Sequence, residues 1–455
     1  MSINVNANKK LGPIKPVNGI CNGPVSFGGL MDISELYKQA AFPYCRLHDT
    51  NYPNAGEVDV HTIFRNFDAD ADDPVNYTFA ATDVYLAEVE ATGAKIIFRL
   101  GTSIEHKKKK FFIHPPADNE KWAKICLNIA RHYNEGWADG FYKNIMYWEV
   151  WNEPDLLHPN RHDDAMWSGT PRQYYELYGA VARLFKNEMP NVKIGGYGAC
   201  NLNGEGRKHY FLDFLQYVKD NELPLDFLSW HIYMNSLAQL RTAAVYAREQ
   251  LDAYGFTHTE IILDEWNYLT NRPIWDTIFS EGGAVARREV FLESAGVIGM
   301  AFTAAALIEM VSLPVDIATF YDGQPTNLFC TIFDRFGLPT KQFYAFDVFN
   351  QVTHGAEQIC AQSEYTGIYV LAVASENQTR VMLVNSEGRT AVYPLTFEGL
   401  DTDARYNYQV FMVDETRNLE KTAEGNDVIY SELPLEIYLH VSTVGMIIIT
   451  KISGS

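Results

Sequence analysis

Eight short runs rich in β-branched and aromatic residues recur along the first three quarters of the chain, separated by longer stretches with helical apolar spacing. The runs are Val17 to Cys21, Tyr44 to His48, Lys95 to Arg99, Ile145 to Trp151, Val192 to Gly195, Phe227 to Tyr233, Glu260 to Glu265 and Ile317 to Tyr321. Between them lie amphipathic stretches: Asp83 to Ala91, Trp122 to Tyr133, Pro171 to Met189, Tyr210 to Lys219, Leu240 to Tyr254 and Ala284 to Ala295. Pro339 to Gln351 supplies a last helix. Such alternation buries the apolar faces of both element types when the strands pair in parallel beneath an outer layer of helices. Eight repeats therefore predict an α/β architecture, a (β/α)8 TIM barrel with enlarged loops, over residues 1–353.

Beyond His354 the pattern changes. Gly367 to Val373, Arg380 to Asn385 and Gly445 to Thr450 are short apolar runs, and turn-rich links such as Ser386 to Gly388 and Glu424 to Asp427 separate them. This predicts an antiparallel β-sandwich over residues 354–455, against which about the first 15 residues can pack. No low-complexity linker precedes it, so firm packing on the barrel is expected.

Composition narrows the partners. A net charge of −20 and a pI near 5.0 disfavour nucleic acid and anionic membrane surfaces, whose phosphates such a chain repels. The six cysteines, Cys21, Cys45, Cys126, Cys200, Cys330 and Cys360, form no C-x-x-C pair and have no histidine at zinc-ligand spacing, so buried free thiols in a reducing compartment are expected. Asp68 to Asp73 lacks the glycine and closing glutamate of a calcium loop, and no metal or cofactor is assigned. Ser294 to Met310 is apolar but interrupted by glycines, which predicts a buried helix rather than a membrane span. The N-terminus lacks the apolar core of a signal peptide, which favours a cytoplasmic protein, and a homo-oligomer is compatible with everything above.

Active sites of such barrels sit where strands end and loops begin. The fourth run ends Trp148-Glu149-Val150-Trp151-Asn152-Glu153-Pro154, and the seventh ends Leu263-Asp264-Glu265-Trp266-Asn267. A loop glutamate is usually a solvated surface acid, but both of these follow buried strands and have indole and amide neighbours. Two carboxyl groups so placed suit cleavage of a sugar through an oxocarbenium-like transition state. Spacing alone does not choose Glu153 over Glu149, or Glu265 over Asp264. Glu149 sits deeper on the same strand face, where an unpaired charge is costly, so the strand-end acids Glu153 and Glu265 are preferred.

With these residues in view, the chain resembles glycoside hydrolase family 39, in the clan whose barrels carry their acids on strands four and seven. The resemblance rests on the Asn152-Glu153-Pro154 element, Ser229-Trp230-His231-Ile232-Tyr233, Met166 to Thr170 with Tyr174 to Tyr178, Ile194-Gly195-Gly196, and the ordered set from Arg46-Leu47-His48 to Asp264-Glu265-Trp266-Asn267. It implies a retaining, β-xylosidase-like enzyme acting on oligosaccharides, with Glu153 as general acid/base and Glu265 as nucleophile. It also implies Asn152 near the sugar 2-hydroxyl, and Arg46, His231 and Tyr233 around the nucleophile. An arginine there would keep Glu265 ionised, while enclosure would raise the pKa of Glu153. His48 and His231 could instead be satisfied core histidines, and Trp151 and Trp266 either line the pocket or pack the rim.

The family's relatives often floor the first subsite with a tryptophan after the eighth strand. Here the run reads Ala318-Thr319-Phe320-Tyr321-Asp322-Gly323, so Phe320 or Tyr321 is the candidate platform. The Asp264-Glu265-Trp266-Asn267 element also resembles arabinofuranosidases of the clan, which keeps an α-L-arabinosidase open. Lys107 to Lys110 reads as a solvated basic loop. A phosphate-sugar enzyme is disfavoured by the lack of a glycine-rich cradle after the last strands. A catalytically inactive carbohydrate-binding protein could dispense with one of the two acids, and both are present.

Overall fold

The computed structural model describes residues 1–104, 110–156, 166–204, 207–270, 282–325 and 332–452. Eight parallel strands close into a barrel: β1 (Gly19–Cys21), β2 (Tyr44–Leu47), β3 (Lys95–Leu100), β4 (Tyr147–Val150), β5 (Lys193–Ala199), β6 (Phe227–Met234), β7 (Glu260–Tyr268) and β8 (Ile317–Phe320). Each falls on one of the eight runs. Two continue by three or more residues beyond the expected ends: β5 reaches Ala199, and β7 continues to Tyr268 because Trp266 to Tyr268 still pair with Ile232 to Met234 of β6. The β6/β7 register shifts between Leu263 and Glu265. In a regular strand neighbouring side chains face opposite ways, and this irregularity lets the consecutive Asp264 and Glu265 reach one arginine.

The outer layer follows the amphipathic stretches closely. Helix Pro171–Glu188 starts where the sequence demands: Thr170 and Gln173 form a reciprocal capping box, and Pro171 occupies the first turn, where its missing N–H costs nothing. The last helix begins at Phe343 rather than Pro339, because Pro339 bridges Phe333 and the buried Gln342 side chain bonds Thr303 and Asn267. The apolar stretch near Ser294 becomes helix Val297–Ser312, enclosed along most of its length. A break at Gly296 bends it 53° from helix Ala284–Ala295. Among the described residues no single helix is long and apolar enough to cross a membrane.

The second unit is one mostly antiparallel nine-stranded sheet that curls around its own core. Strand Ile3–Gly12, from the chain's beginning, is built into it, antiparallel to Glu357–Ser363 and parallel to Ala391–Glu398. Period-two alternation explains the firm docking. Val381 and Leu383 point into the sheet's own core, while Met382, Val384, Leu371, Val373 and Met446 join the core shared with the barrel. Helices Val297–Ser312 and Phe343–Thr353 are the barrel elements beneath that face. Glu424 to Asp427, expected as a turn, lies instead within strand Asn418–Ile429, where register shifts absorb it. Gly425 is required there, since a Cβ would come 2.2 Å from the Tyr408 ring.

Cys21, Cys45 and Cys126 are buried free thiols, and Cys200 and Cys360 are partly exposed free ones. Cys330 and Lys107 to Lys109 lie outside the described residues.

Val5 is fully enclosed in the second sheet. Val5→Asp is expected to destabilise the protein by about 3 kcal/mol or more, because it strands a carboxylate in that core. A denaturant titration checks this, and an unchanged midpoint would remove the N-terminal strand from the stable sheet.

Candidate active site

Arg46, on the inner face of β2, has no exposed surface and gathers residues from β4 and β7. Its Nε donates to Glu149 Oε2 (2.8 Å) and lies 2.9 Å from Asp264 Oδ2. Its Nη1 donates to Glu265 Oε2 at 3.1 Å, and its Nη2 donates to Asn152 Oδ1 at 2.7 Å. Burial works against the guanidinium charge, but the charges of Asp264, Glu149 and Glu265 outweigh it and hold Arg46 cationic. Burial also works against ionised Glu149, yet the Arg46 charge and bonds from Asp264, Arg46 and Ser229 bring its carboxyl down to about 2. Burial, with the Glu149 charge beside it, pushes Asp264 well above the usual carboxylate range despite Arg46. The pair is thus pushed in opposite directions, Glu149 toward its ionised form by Arg46 and Asp264 toward its neutral form by burial. Gly198 makes room for this cluster: a Cβ there would crowd Glu149 and the Asn152 backbone.

Glu153 follows β4 with a positive φ of 46°, and its N–H donates to Gly198 O (2.8 Å). That conformation costs a non-glycine residue and aims the side chain into the barrel mouth. Its Oε1 lies 2.8 Å from His231 Nδ1. Burial raises the Glu153 carboxyl to about 7, against the opposing influence of Arg207, Cys200 and Arg46. Burial likewise brings His231 down to about 4 even though Glu265 and Glu149 favour its charged form, so the ring is neutral near pH 7. Glu265 accepts from Tyr233 Oη at 2.8 Å as well as from Arg46. One oxygen of Glu153, one of Glu265 and a His231 ring nitrogen all lie within 4.8 Å of one another. Glu149, His231 and Asp264 form a similar group, but the Arg46 cation already occupies their carboxyls and opposes a second cation there.

The structure therefore brings Glu153, Glu265, Asn152, Arg46, His231 and Tyr233 to one pocket. His48 and Tyr321 occupy the adjoining wall: His48 Nε2 is 3.3 Å from Asp49 Oδ1, and Tyr321 Oη donates to Asp49 Oδ2 at 2.9 Å. Three aromatic expectations are corrected. Phe320 meets Trp266 edge-on at 5.0 Å and Phe346 of the last helix at 5.3 Å, so both Phe320 and Trp266 pack the layer between strands and helices. Trp151 bonds Met166 O through Nε1 and packs on Trp122 and Trp167, again away from the acids. Trp266 points outward because it is one step from the inward-facing Glu265, whereas Trp151 leaves the face of Glu149 through a positive φ of 74° beyond the end of β4. Sequence reasoning missed the paired role of Glu149 and Asp264, which adjacency to the strand-end acids hinted at. It also missed Asp49, whose only signal was its place after Arg46-Leu47-His48.

A closed parallel barrel whose fourth and seventh strands deliver two glutamates to one pocket, one enclosed beside a neutral histidine and the other held by arginine and tyrosine, defines a glycosidase. The sequence profile of the Glycosyl hydrolases family 39 matches residues 1–378, and the chain belongs to that family. A curated relative, a beta-xylosidase of Geobacillus stearothermophilus, is 27% identical over 200 residues, covering 38% of this chain and 38% of the relative. The structure of a glucosidase from Croceicoccus marinus superposes with a TM-score of 0.81 at 27% identity, over 99% of each chain. A monomeric beta-xylosidase from Caulobacter crescentus shares the fold at 14% identity, with a TM-score of 0.72 over 99% of this chain and 100% of its own.

Arg46→Leu would leave buried carboxylates without their counter-charge, and a loss of about 3–5 kcal/mol in unfolding free energy is expected. Asp264→Asn, which keeps a neutral group beside Glu149, should cost far less. Equal stabilities of the two variants by denaturant titration would refute this charge balance.

Proposed function

We propose that the enzyme hydrolyses glycosides with retention of configuration, Glu265 acting as nucleophile and Glu153 as acid and then base. The observation that carries this is that one oxygen of each carboxyl lies within 4.8 Å of the other, in contrasting surroundings. Retaining enzymes hold their acids roughly 5–5.5 Å apart, whereas inverting ones leave about 6.5–9.5 Å for a water.

Each role follows from local chemistry. Glu265, gripped by Arg46 and Tyr233, presents an oxygen to the anomeric carbon and forms the glycosyl ester as the glycosidic bond breaks. Glu153 is still protonated near neutrality and gives its proton to the departing oxygen. It then takes a proton from the water that attacks the ester, restoring both acids. Neutral His231 steadies Glu153 through a hydrogen bond rather than an ion pair. Because Arg46 donates to Asn152 Oδ1, the amide nitrogen of Asn152 is the atom left to donate to the sugar 2-hydroxyl.

For the sugar, a β-D-xyloside is the first expectation, supported by the family and by the Geobacillus relative. A glucoside is the second, supported by the Croceicoccus glucosidase, which matches along the whole chain. The α-L-arabinosidase expected as an alternative belongs in the same aryl glycoside panel.

Glu265→Ala is expected to lower turnover by about 10⁴-fold or more. Added azide should restore part of it and yield a glycosyl azide of inverted configuration; unchanged activity would refute the assignment. A 2-fluoro glycoside should label Glu265 covalently, which a mere sugar-binding protein cannot do.

The pH dependence has a definite sign. The Glu153 carboxyl, raised from its ordinary value to about 7, is protonated below that pH and loses its proton above it. Activity should therefore fall as pH rises through about 7. With an activated aryl leaving group that needs no proton, this alkaline limb of kcat/KM should vanish in Glu153→Gln. Persistence of the limb would assign it to another group.

A further inference from the structure

Beside the nucleophile lies a carboxyl group that the double displacement does not use. Glu265 bonds Tyr233, Tyr233 packs with Cys21 and Tyr321, and Tyr321 Oη donates to Asp49 Oδ2 at 2.9 Å. Asp49 thus stands two side chains from Glu265 along one wall. Burial raises its carboxyl to about 8, and the Glu265 charge is the next largest contributor, consistent with a shared pocket.

Three neighbouring loops fix Asp49 in place. Its Oδ1 accepts from the Ile104 N–H at 2.8 Å, beyond β3. Its backbone oxygen accepts from Gln324 Nε2 at 3.1 Å, beyond β8. Gln324 is itself tied to Asp322, which accepts from Asn22 beyond β1. Asp49 adopts a φ of +58°, a conformation that non-glycine residues hold only when their surroundings impose it and that clusters at ligand sites. Held so firmly, its side chain still keeps 14% exposure, against 2% for His48 beside it.

We propose that Asp49 binds the glycone, exchanging a hydrogen bond with a ring hydroxyl remote from the anomeric carbon and so selecting sugars that carry a hydroxyl there. A carboxyl group can serve about four hydrogen bonds, and the protein fills only part of that capacity. A hydroxyl both donates and accepts, so it can pair with either protonation state. The anomeric carbon must sit at Glu265, which leaves the far side of the ring for a group displaced along the wall by Tyr233 and Tyr321. The inference rests on Glu265 as nucleophile.

The test pairs variants with altered substrates. Asp49→Asn and Asp49→Ala are assayed on the aryl glycoside that the wild type cleaves best and on its monodeoxy analogues at each ring carbon beyond C2. On the parent, kcat/KM should fall about 10- to 100-fold, the cost of leaving a bonded polar group unpaired. On one deoxy analogue the penalty should nearly vanish, since a contact that the substrate lacks cannot be lost twice. Equal losses on the parent and every analogue would make Asp49 a structural tie only and overturn the inference. Should the variants fold poorly, a complex of Glu265→Ala with the intact glycoside decides the matter: a sugar hydroxyl within about 3.2 Å of the Asp49 carboxyl supports the inference, and none within about 4 Å overturns it. A failure of the nucleophile assignment is distinguishable, because it shows as retained activity in Glu265→Ala.

Discussion

One buried positive charge organises the barrel mouth. Arg46 sits without solvent among Glu149, Asp264 and Glu265, and a charge in that setting is tolerable only when its partners are fixed and its hydrogen bonds are made. The partners come from β4 and β7, so the ion cluster clamps opposite parts of the barrel to β2. Three carboxylates around one arginine would leave excess negative charge. Burial and the Glu149 charge relieve that surplus by favouring the neutral form of Asp264. The position of Glu265 is thus set by residues that need never touch a sugar.

The same arrangement separates the behaviour of two chemically identical side chains. Glu265 accepts hydrogen bonds from Arg46 and the Tyr233 hydroxyl. Glu153, a few ångströms away, faces a histidine too enclosed to hold a charge near neutrality, and its own enclosure raises its pKa. Two residues of one type come to have contrasting surroundings through their neighbours alone, the pattern expected when one must donate a proton and the other must attack.

The eight-strand alternation and both glutamates were legible in the sequence because each depends on local pattern: apolar runs, proline after Glu153, and adjacent indole and amide residues. The inward positions of Arg46, His231 and Tyr233 followed from the family resemblance and from their strands. The aromatic residues were not legible in the same way. Trp151, Trp266 and Phe320 all lie at strand ends beside the site, and only local backbone geometry, a positive φ at Trp151 and a register shift in β7, decides how they pack. Asp49 was invisible for a related reason. What marks it is a backbone conformation and bonds to Ile104 and Tyr321, both distant in sequence. The Glu424 to Asp427 segment misled because its composition is that of a turn, although Gly425 serves close packing against Tyr408.

The first strand of the chain is also a strand of the last unit, and this governs how the protein can be made. Ile3–Gly12 leaves the ribosome before the barrel, yet its partners Glu357–Ser363 and Ala391–Glu398 are synthesised only after the whole barrel. At a few to about twenty residues per second, that opening segment waits tens of seconds with an unpaired edge. Its run of asparagines and lysines suits the wait, since polar and basic side chains discourage an exposed strand from pairing with the wrong neighbour. Closure of the second sheet therefore comes late in synthesis, and it covers the apolar helices Val297–Ser312 and Phe343–Thr353 in the same step.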